Sequence, residues 1–275
     1  MIGAIIGDIV GSRFEWNNIK TKEFNFFSNS CKLTDDSIMT LAVAKAIFEA
    51  NTDAEKLSGL TVKYMREIGR YYPNCGYGGM FYQWMFSDRM GPYNSYGNGA
   101  AMRVSACGFA AKNIEEAKLL SRKVTEVTHN HPEGLKGAEA AAVCIALARE
   151  GKKISEIRDH VDRHYYPMNF TLDGIRRTYQ FNETCQDTVP QAITAFLESL
   201  SFEDAIRNAV SIGGDSDTLA AITGGIAEAY YGVPGEIRQQ ALAFFDERLL
   251  KILAEFENVY PPGVDHHIPS QGQGL

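Results

Sequence analysis

Apolar residues recur at helical spacing through most of this chain, and almost nowhere do they alternate as a strand requires. The stretch Asp36 to Ala50 carries Ile38, Leu41, Ala42 and Ala46 with no breaker between them. Ile114 to Val127, Gly137 to Arg149, Thr188 to Leu200, Phe202 to Val210, Leu219 to Tyr230 and Glu236 to Phe256 show the same period. The punctuation agrees: Gly151 follows Arg149-Glu150, Gly232 follows Tyr230-Tyr231, and Pro190 fits a first turn. Near the start, glycines at 3, 7 and 11 give a helix a smooth face for close packing. Asp8 then falls in mid-helix, and Glu15 where a loop should begin. The expected fold is all-α, a compact single-domain orthogonal multi-helix bundle.

Length and composition narrow this further. A chain of 275 residues can bury one sizeable core, and 45% hydrophobic against 22% charged residues is ordinary globular composition. No repeat, low-complexity tract or linker divides it, so residues 1–260 are expected to form one domain and 261–275 a polar tail. The formal charge of −7 argues against a nucleic-acid coat or a protein of anionic membrane surfaces. No apolar run reaches the roughly 18 residues of a membrane span. Cys31, Cys75, Cys107, Cys144 and Cys185 are widely spaced with no CxxC, which argues against a disulfide scaffold or a structural zinc site. A cytoplasmic monomer is the default expectation.

The unusual residues lie between the helices, where chemistry is usually housed. In Leu33-Thr34-Asp35-Asp36-Ser37, Thr34 fits an N-cap, and Asp35 and Asp36 suit the positive end of the following helix. The same residues offer hard oxygen ligands to Mg²⁺, Mn²⁺ or Ca²⁺. In Gly213-Gly214-Asp215-Ser216-Asp217-Thr218, two carboxylates and a hydroxyl again open a helix, after a glycine pair that permits positive φ. Capping needs only one of these oxygens, so the surplus points to a site. Four carboxylates gathered from the two segments would repel one another unless cations neutralised them, which two divalent ions do.

Ser95-Tyr96-Gly97-Asn98-Gly99-Ala100-Ala101-Met102-Arg103 is a glycine turn whose backbone N–H groups could face outward as a phosphate cradle, though no Gly-Lys-Ser/Thr of a Walker motif is present. Thr128-His129-Asn130-His131-Pro132 places two histidines two apart. With no third soft ligand nearby, a substrate-orienting or structurally satisfied histidine is the better reading than zinc.

Together these segments resemble the ADP-ribosylglycohydrolase family. The matching motifs are Gly7-Asp8-Ile9-Val10-Gly11 with Glu15, Thr34-Asp35-Asp36-Ser37, Gly97-Asn98-Gly99-Ala100-Ala101-Met102-Arg103, Thr128-His129-Asn130-His131-Pro132, Thr188-Val189-Pro190 and Gly213-Gly214-Asp215-Ser216-Asp217-Thr218. They keep the family's order across about residues 2–232. The resemblance implies an all-α fold with a binuclear Mg²⁺ or Mn²⁺ centre held by Thr34, Asp35, Asp36, Asp215, Asp217 and Thr218. It implies that Glu15 sits on a flap beside the metals. It further implies that Gly97, Asn98, Gly99, Ala100 and Met102 receive the ADP-ribose phosphates, and that His129 lines the cleft. Arg13-Phe14 stands where many relatives carry smaller residues or proline.

The implied activity is hydrolysis of the bond between ADP-ribose and an acceptor, a protein side chain such as Arg or Ser or a small molecule. Glu15, Asp36 and Asp217 are the candidates for proton transfer. Two alternatives stand beside it: an inactive relative that only holds ADP-ribose, and a binuclear-metal phosphohydrolase acting on a nucleotide.

Overall fold

In the computed structural model, which describes residues 1–51 and 53–262, fourteen α-helices follow one another. They are α1 (Ile2–Gly11), α2 (Asp35–Ala50), α3 (Ala54–Tyr71), α4 (Gly79–Phe86), α5 (Ser105–Ala110), α6 (Ile114–Thr125) and α7 (Pro132–Arg149). There follow α8 (Ile154–His164), α9 (Leu172–Ile175), α10 (Cys185–Leu197), α11 (Phe202–Ser211), α12 (Ser216–Tyr231), α13 (Gly235–Leu242) and α14 (Glu247–Val259). A single 3₁₀ turn spans Asn98–Ala100. Among the described residues the sole β pairing is one isolated bridge, Gly97 to Thr184. The all-α expectation therefore holds. Of the expected tail, residues 263–275 lie outside the described residues.

Side-chain distribution explains the arrangement. Every residue of α1 is buried, so this helix has no face to offer water and must lie inside. It lies against α12, which is buried from Ser216 to Ala229. The approach is close because of glycine. A Cβ on Gly7 would stand 1.9 Å from the Ala220 carbonyl oxygen, so no other residue fits there. Around this central pair run helices with one apolar face and one charged face. In α3 the buried side is Leu57, Thr61, Tyr64, Met65 and Ile68, at helical spacing.

Several local expectations need correction. Glu236 to Phe256 is two helices, α13 and α14, because the chain breaks at 243–246. There the Asp246 carboxylate accepts from the Leu249 amide at 2.9 Å and starts the second helix. Pro190 is not in a first turn. Its helix begins at Cys185, so the proline lies in the interior, where its missing N–H removes one ladder bond. The helix expected from Gly137 begins five residues earlier, with Pro132 in its first turn. Gly151 and Gly232 do take positive φ, at +76° and +73°.

Among the described residues no helix is long and apolar enough to cross a membrane.

Candidate active site

Three connections bring carboxylates to one place. The first is the start of α2. Thr34 has extended backbone and its hydroxyl accepts from the Asp36 amide, so the capping expectation holds. The second is the turn before α12, where Gly213 and Gly214 take φ of +67° and +80° and turn Asp215 inward. The third is the segment after α1 that carries Glu15. It is tied down by its neighbour Asn18. The Asn18 side chain accepts from the Gly214 amide at 2.7 Å and donates to the carbonyls of Gly214 at 2.8 Å and Glu15 at 2.9 Å. Lys20 donates to the Tyr179 carbonyl at 2.7 Å and to that of Ile212.

The carboxylates meet in two overlapping groups. Asp8, Asp36 and Asp217 each offer an oxygen within 4.8 Å of the others, and so do Glu15, Asp215 and Asp217. Asp217 belongs to both. Thr34 and Thr218 stand beside Asp36, with hydroxyl oxygens 3.3 and 3.4 Å from its Oδ2. Asp35 lines the same cavity but lies in neither close group; a Cβ on Gly76 would be 3.4 Å from its Oδ1.

The sequence reading passed over the role of Asp8. It sits at mid-α1, fully buried, and accepts from the Thr34 amide (2.9 Å), the Thr34 hydroxyl (2.7 Å), the Ser37 amide (3.2 Å) and the Ser37 hydroxyl. Its oxygens are thus engaged in holding the first turn of α2 in place. An aspartate inside an otherwise apolar glycine helix was the available signal, since a buried charge requires partners.

Electrostatics set this end of the cavity apart. Burial pushes Asp35, Asp36 and Asp217 well above the usual carboxylate range, and the charges of neighbouring aspartates add to the rise. Glu15 is raised to about 7, first by desolvation and then by the charge of Asp215, with Lys32 opposing. Asp8 rises to about 6 through burial, although the bonds from Ser37 and Thr34 pull the other way. Asp36 Oδ1 is buried with no partner among the described residues. An unpartnered carboxylate oxygen among further carboxylates and two hydroxyls, all hard oxygen ligands, fits hard divalent cations.

The cavity, about 480 Å³, runs from these acids to the Gly97 turn. That turn is joined to the acids directly, because Asn98 donates to Asp215 Oδ2 at 2.7 Å and to the Thr188 hydroxyl at 3.2 Å. The expected row of outward amides is not there. Ala100 is buried and its N–H bonds to the Gly97 carbonyl at 3.1 Å, while the Asn98 amide bonds to Glu183 and the Met102 amide to Asn98. A 3₁₀ turn uses its own donors internally, which leaves Gly99 as the free amide among the described residues of this turn. Gly97, Asn98, Gly99 and Met102 line the cavity.

The two histidines part company. His131 caps α7, its Nδ1 accepting from the Glu133 amide at 3.1 Å. His129 faces the cavity, with its pKa held well below normal by burial and by the Arg103 charge. At the mouth, Trp16 stacks on Phe181 with ring centroids 4.9 Å apart.

An all-helical body thus holds a carboxylate cluster and a glycine turn on one cavity, and comparisons with known proteins give the class. The sequence profile of the ADP-ribosylglycohydrolase family matches residues 1–261. The chain belongs to the ADP-ribosylglycohydrolase family and is an enzyme of that class. It is 24% identical to ADP-ribosylhydrolase ARH3 of Homo sapiens, across 85% of this chain and 84% of that protein. It is 24% identical to ADP-ribosylarginine hydrolase Tri1 of Pseudomonas putida, across 86% of this chain and 70% of that protein. A solved structure described as an ADP-ribosylglycohydrolase-related protein complex shares the fold. Its TM-score is 0.63 at 21% identity, covering 94% of this chain and 95% of that one.

Proposed function

We infer that this chain hydrolyses the glycosidic bond between the distal ribose of ADP-ribose and an acceptor on a protein or small molecule, releasing ADP-ribose. The observation that carries this reading is the convergence of Glu15, Asp36, Asp215 and Asp217 in the same cavity that the Gly97–Met102 turn lines. An acidic end suits a ribose that gains positive charge as its bond breaks. A turn with a free amide and a neighbouring histidine suits the diphosphate.

In this reading Thr34, Asp35, Asp36, Asp215, Asp217 and Thr218 hold two divalent cations, Mg²⁺ or Mn²⁺. When bound, such ions orient substrate hydroxyls and lower the pKa of a coordinated water. The chain's own residues supply the remainder. Glu15 is half-buried and lies beside Asp215 and Asp217 on the cavity wall, which places a carboxylate able to give or take a proton next to the bound ions. Asp36 and Asp217 are the other candidates for that role. Asp8 fixes the start of α2, and Asn98 holds Asp215 toward the cavity.

The test is release of ADP-ribose from arginine-linked and serine-linked ADP-ribosyl peptides with Mg²⁺, with Mn²⁺ and with EDTA. Metal-dependent release from one peptide supports the reading and names the linkage. Inorganic phosphate or AMP as product would instead make the chain a phosphohydrolase. Tight ADP-ribose binding with no turnover of either peptide would make it a binding protein.

A further inference from the structure

Arg103 is fully buried, yet no carboxylate pairs with it among the described residues. Its Nε and Nη1 have no hydrogen-bond partner among the described residues, and its guanidinium lies over the Phe81 ring at 5.7 Å. A sealed cation without a counter-ion is costly, so its placement calls for a reason. The one directed contact it makes is through Nη2, which donates to the Thr128 hydroxyl at 2.5 Å and lies 3.4 Å from His129 Nδ1.

That contact constrains the imidazole. Arginine donates and never accepts, so the His129 nitrogen facing it must be a lone pair. The Thr128 hydroxyl, already accepting from Arg103, has its own proton left to give, and His129 Nδ1 is 2.8 Å away. Arg103 thus requires an unprotonated Nδ1, and the Thr128 hydroxyl is placed to donate to it. The other nitrogen lies against the glycine turn: a Cβ on Gly99 would be 3.4 Å from Nε2 and one on Gly97 3.7 Å. The titratable groups facing the ring are Arg103, from the turn before α5, and Tyr93, whose ring centre is 5.8 Å away. Neither is an acid that would favour a charged imidazolium.

We propose that Arg103 and Thr128 are positioning residues that fix His129 in the tautomer protonated on Nε2, so that the ring presents an uncharged N–H donor, beside the free Gly99 amide, to a phosphoryl oxygen of the substrate. Two neutral donors bind such an oxygen equally well on either side of pH 6.5, the usual histidine midpoint. The inference rests on the ADP-ribose reading of the cavity.

The test is nitrogen–proton correlation spectroscopy of protein labelled with ¹⁵N at histidine, with the His129 signals assigned through His129→Gln. The expected result is a bare Nδ1 and a protonated Nε2 from pH 5 to 8, and a shift of the Nε2–H signal when ADP-ribose is added. A protonated Nδ1, or an imidazolium forming within that range, would overturn the proposal. Thr128→Val removes one of the two constraints with little change of volume. It should give a mixed tautomer signature and weaken ADP-ribose about tenfold, the usual magnitude for one lost hydrogen bond, while Thr128→Ser restores both. Arg103→Lys provides a second variant should the valine fold poorly, and it too should mix the tautomers. If calorimetry finds that wild-type protein does not bind ADP-ribose, the functional reading is what fails. If ADP-ribose binds and leaves the Nε2–H signal unmoved, the donor role fails alone.

Discussion

The starts of α2 and α12 look alike in sequence, each a hydroxyl and two aspartates ahead of an apolar run, but the protein uses them differently. At α2 the local chemistry is satisfied internally. Thr34 caps the helix, and both Thr34 and Ser37 are held by Asp8 of α1. At α12 the residue in the capping position, Asp215, makes no side-chain capping bond. Its carboxylate is turned to Asn98 and the cavity, while Asn18 satisfies the preceding Gly214 backbone. One helix start is a structural joint that also exposes acids; the other gives up its cap to aim them. A capping motif with more oxygens than capping uses is therefore informative, and the excess is greater at α12.

Four measurements would break or sharpen that contrast. The largest effect is expected from Asp217→Ala, which strikes both carboxylate groups. Turnover should fall to about a thousandth or less. The thermal midpoint in EDTA should hold or rise, because one member of a self-repelling cluster is gone. A collapse of the fold instead would assign Asp217 to the structure.

The next largest separates joint from aim by stability. Asp8→Ala strands two buried amides and two buried hydroxyls and should cost about 2–4 kcal/mol in urea denaturation. Asp215→Asn, whose amide oxygen still accepts from Asn98, should cost under about 1 kcal/mol. Equal losses would erase the distinction.

A third measurement reads the cluster through pH. Glu15 and Asp8 are raised to about 7 and about 6 in the folded chain, against roughly 4 for unfolded carboxylates. Below pH 4 both states hold these protons. Between about pH 4 and 7 the unfolded chain releases them first, so the folded state loses stability as pH rises. Surface acids with lowered pKa, such as Asp53, Asp88 and Asp173, act below that window. Metal-free protein should thus melt lower at pH 7.5 than at pH 5, and saturating Mn²⁺ should flatten the slope. A midpoint that climbs with pH in EDTA would contradict the raised carboxylates.

The smallest effect belongs to the cap itself. Thr34→Ala should cost about 1 kcal/mol in denaturant, and Thr34→Ser almost nothing. No loss in the alanine variant would mean that Asp8 alone holds the α2 start.

How much of this was written locally in the chain follows from range. The starts of α2 and α12 were legible because caps, acid pairs and positive-φ glycines act within a few residues. The amphipathic run of α3, opened by Asp53 as its cap, carried the same kind of signal without being singled out. The break between α13 and α14 was hidden because Phe244 and Phe245 continue the apolar pattern and no glycine or proline interrupts it. What a one-dimensional pattern does not hold is contact between distant positions. Asn98 with Asp215, Asp8 with Thr34, and Asn18 with Gly214 each join segments that no period connects. The internal bonding of the 3₁₀ turn was likewise invisible, since small side chains indicate only that amides could face outward.

The contact between α1 and α12 has a consequence for how this protein is made. During synthesis α1 leaves the ribosome well before α12, and this partner surface is roughly two hundred residues behind it. At translation rates of about 5–20 residues per second, that is on the order of 10–40 s. For that time α1 has the start of α2 beside it but lacks the helix that covers most of its buried surface, and the acid cluster, drawn from α1, α2 and α12, does not exist. Assembly of the candidate cavity therefore waits for α12, and a nascent-chain holdase that shields α1 should raise the yield of active enzyme more than it raises the yield of soluble protein.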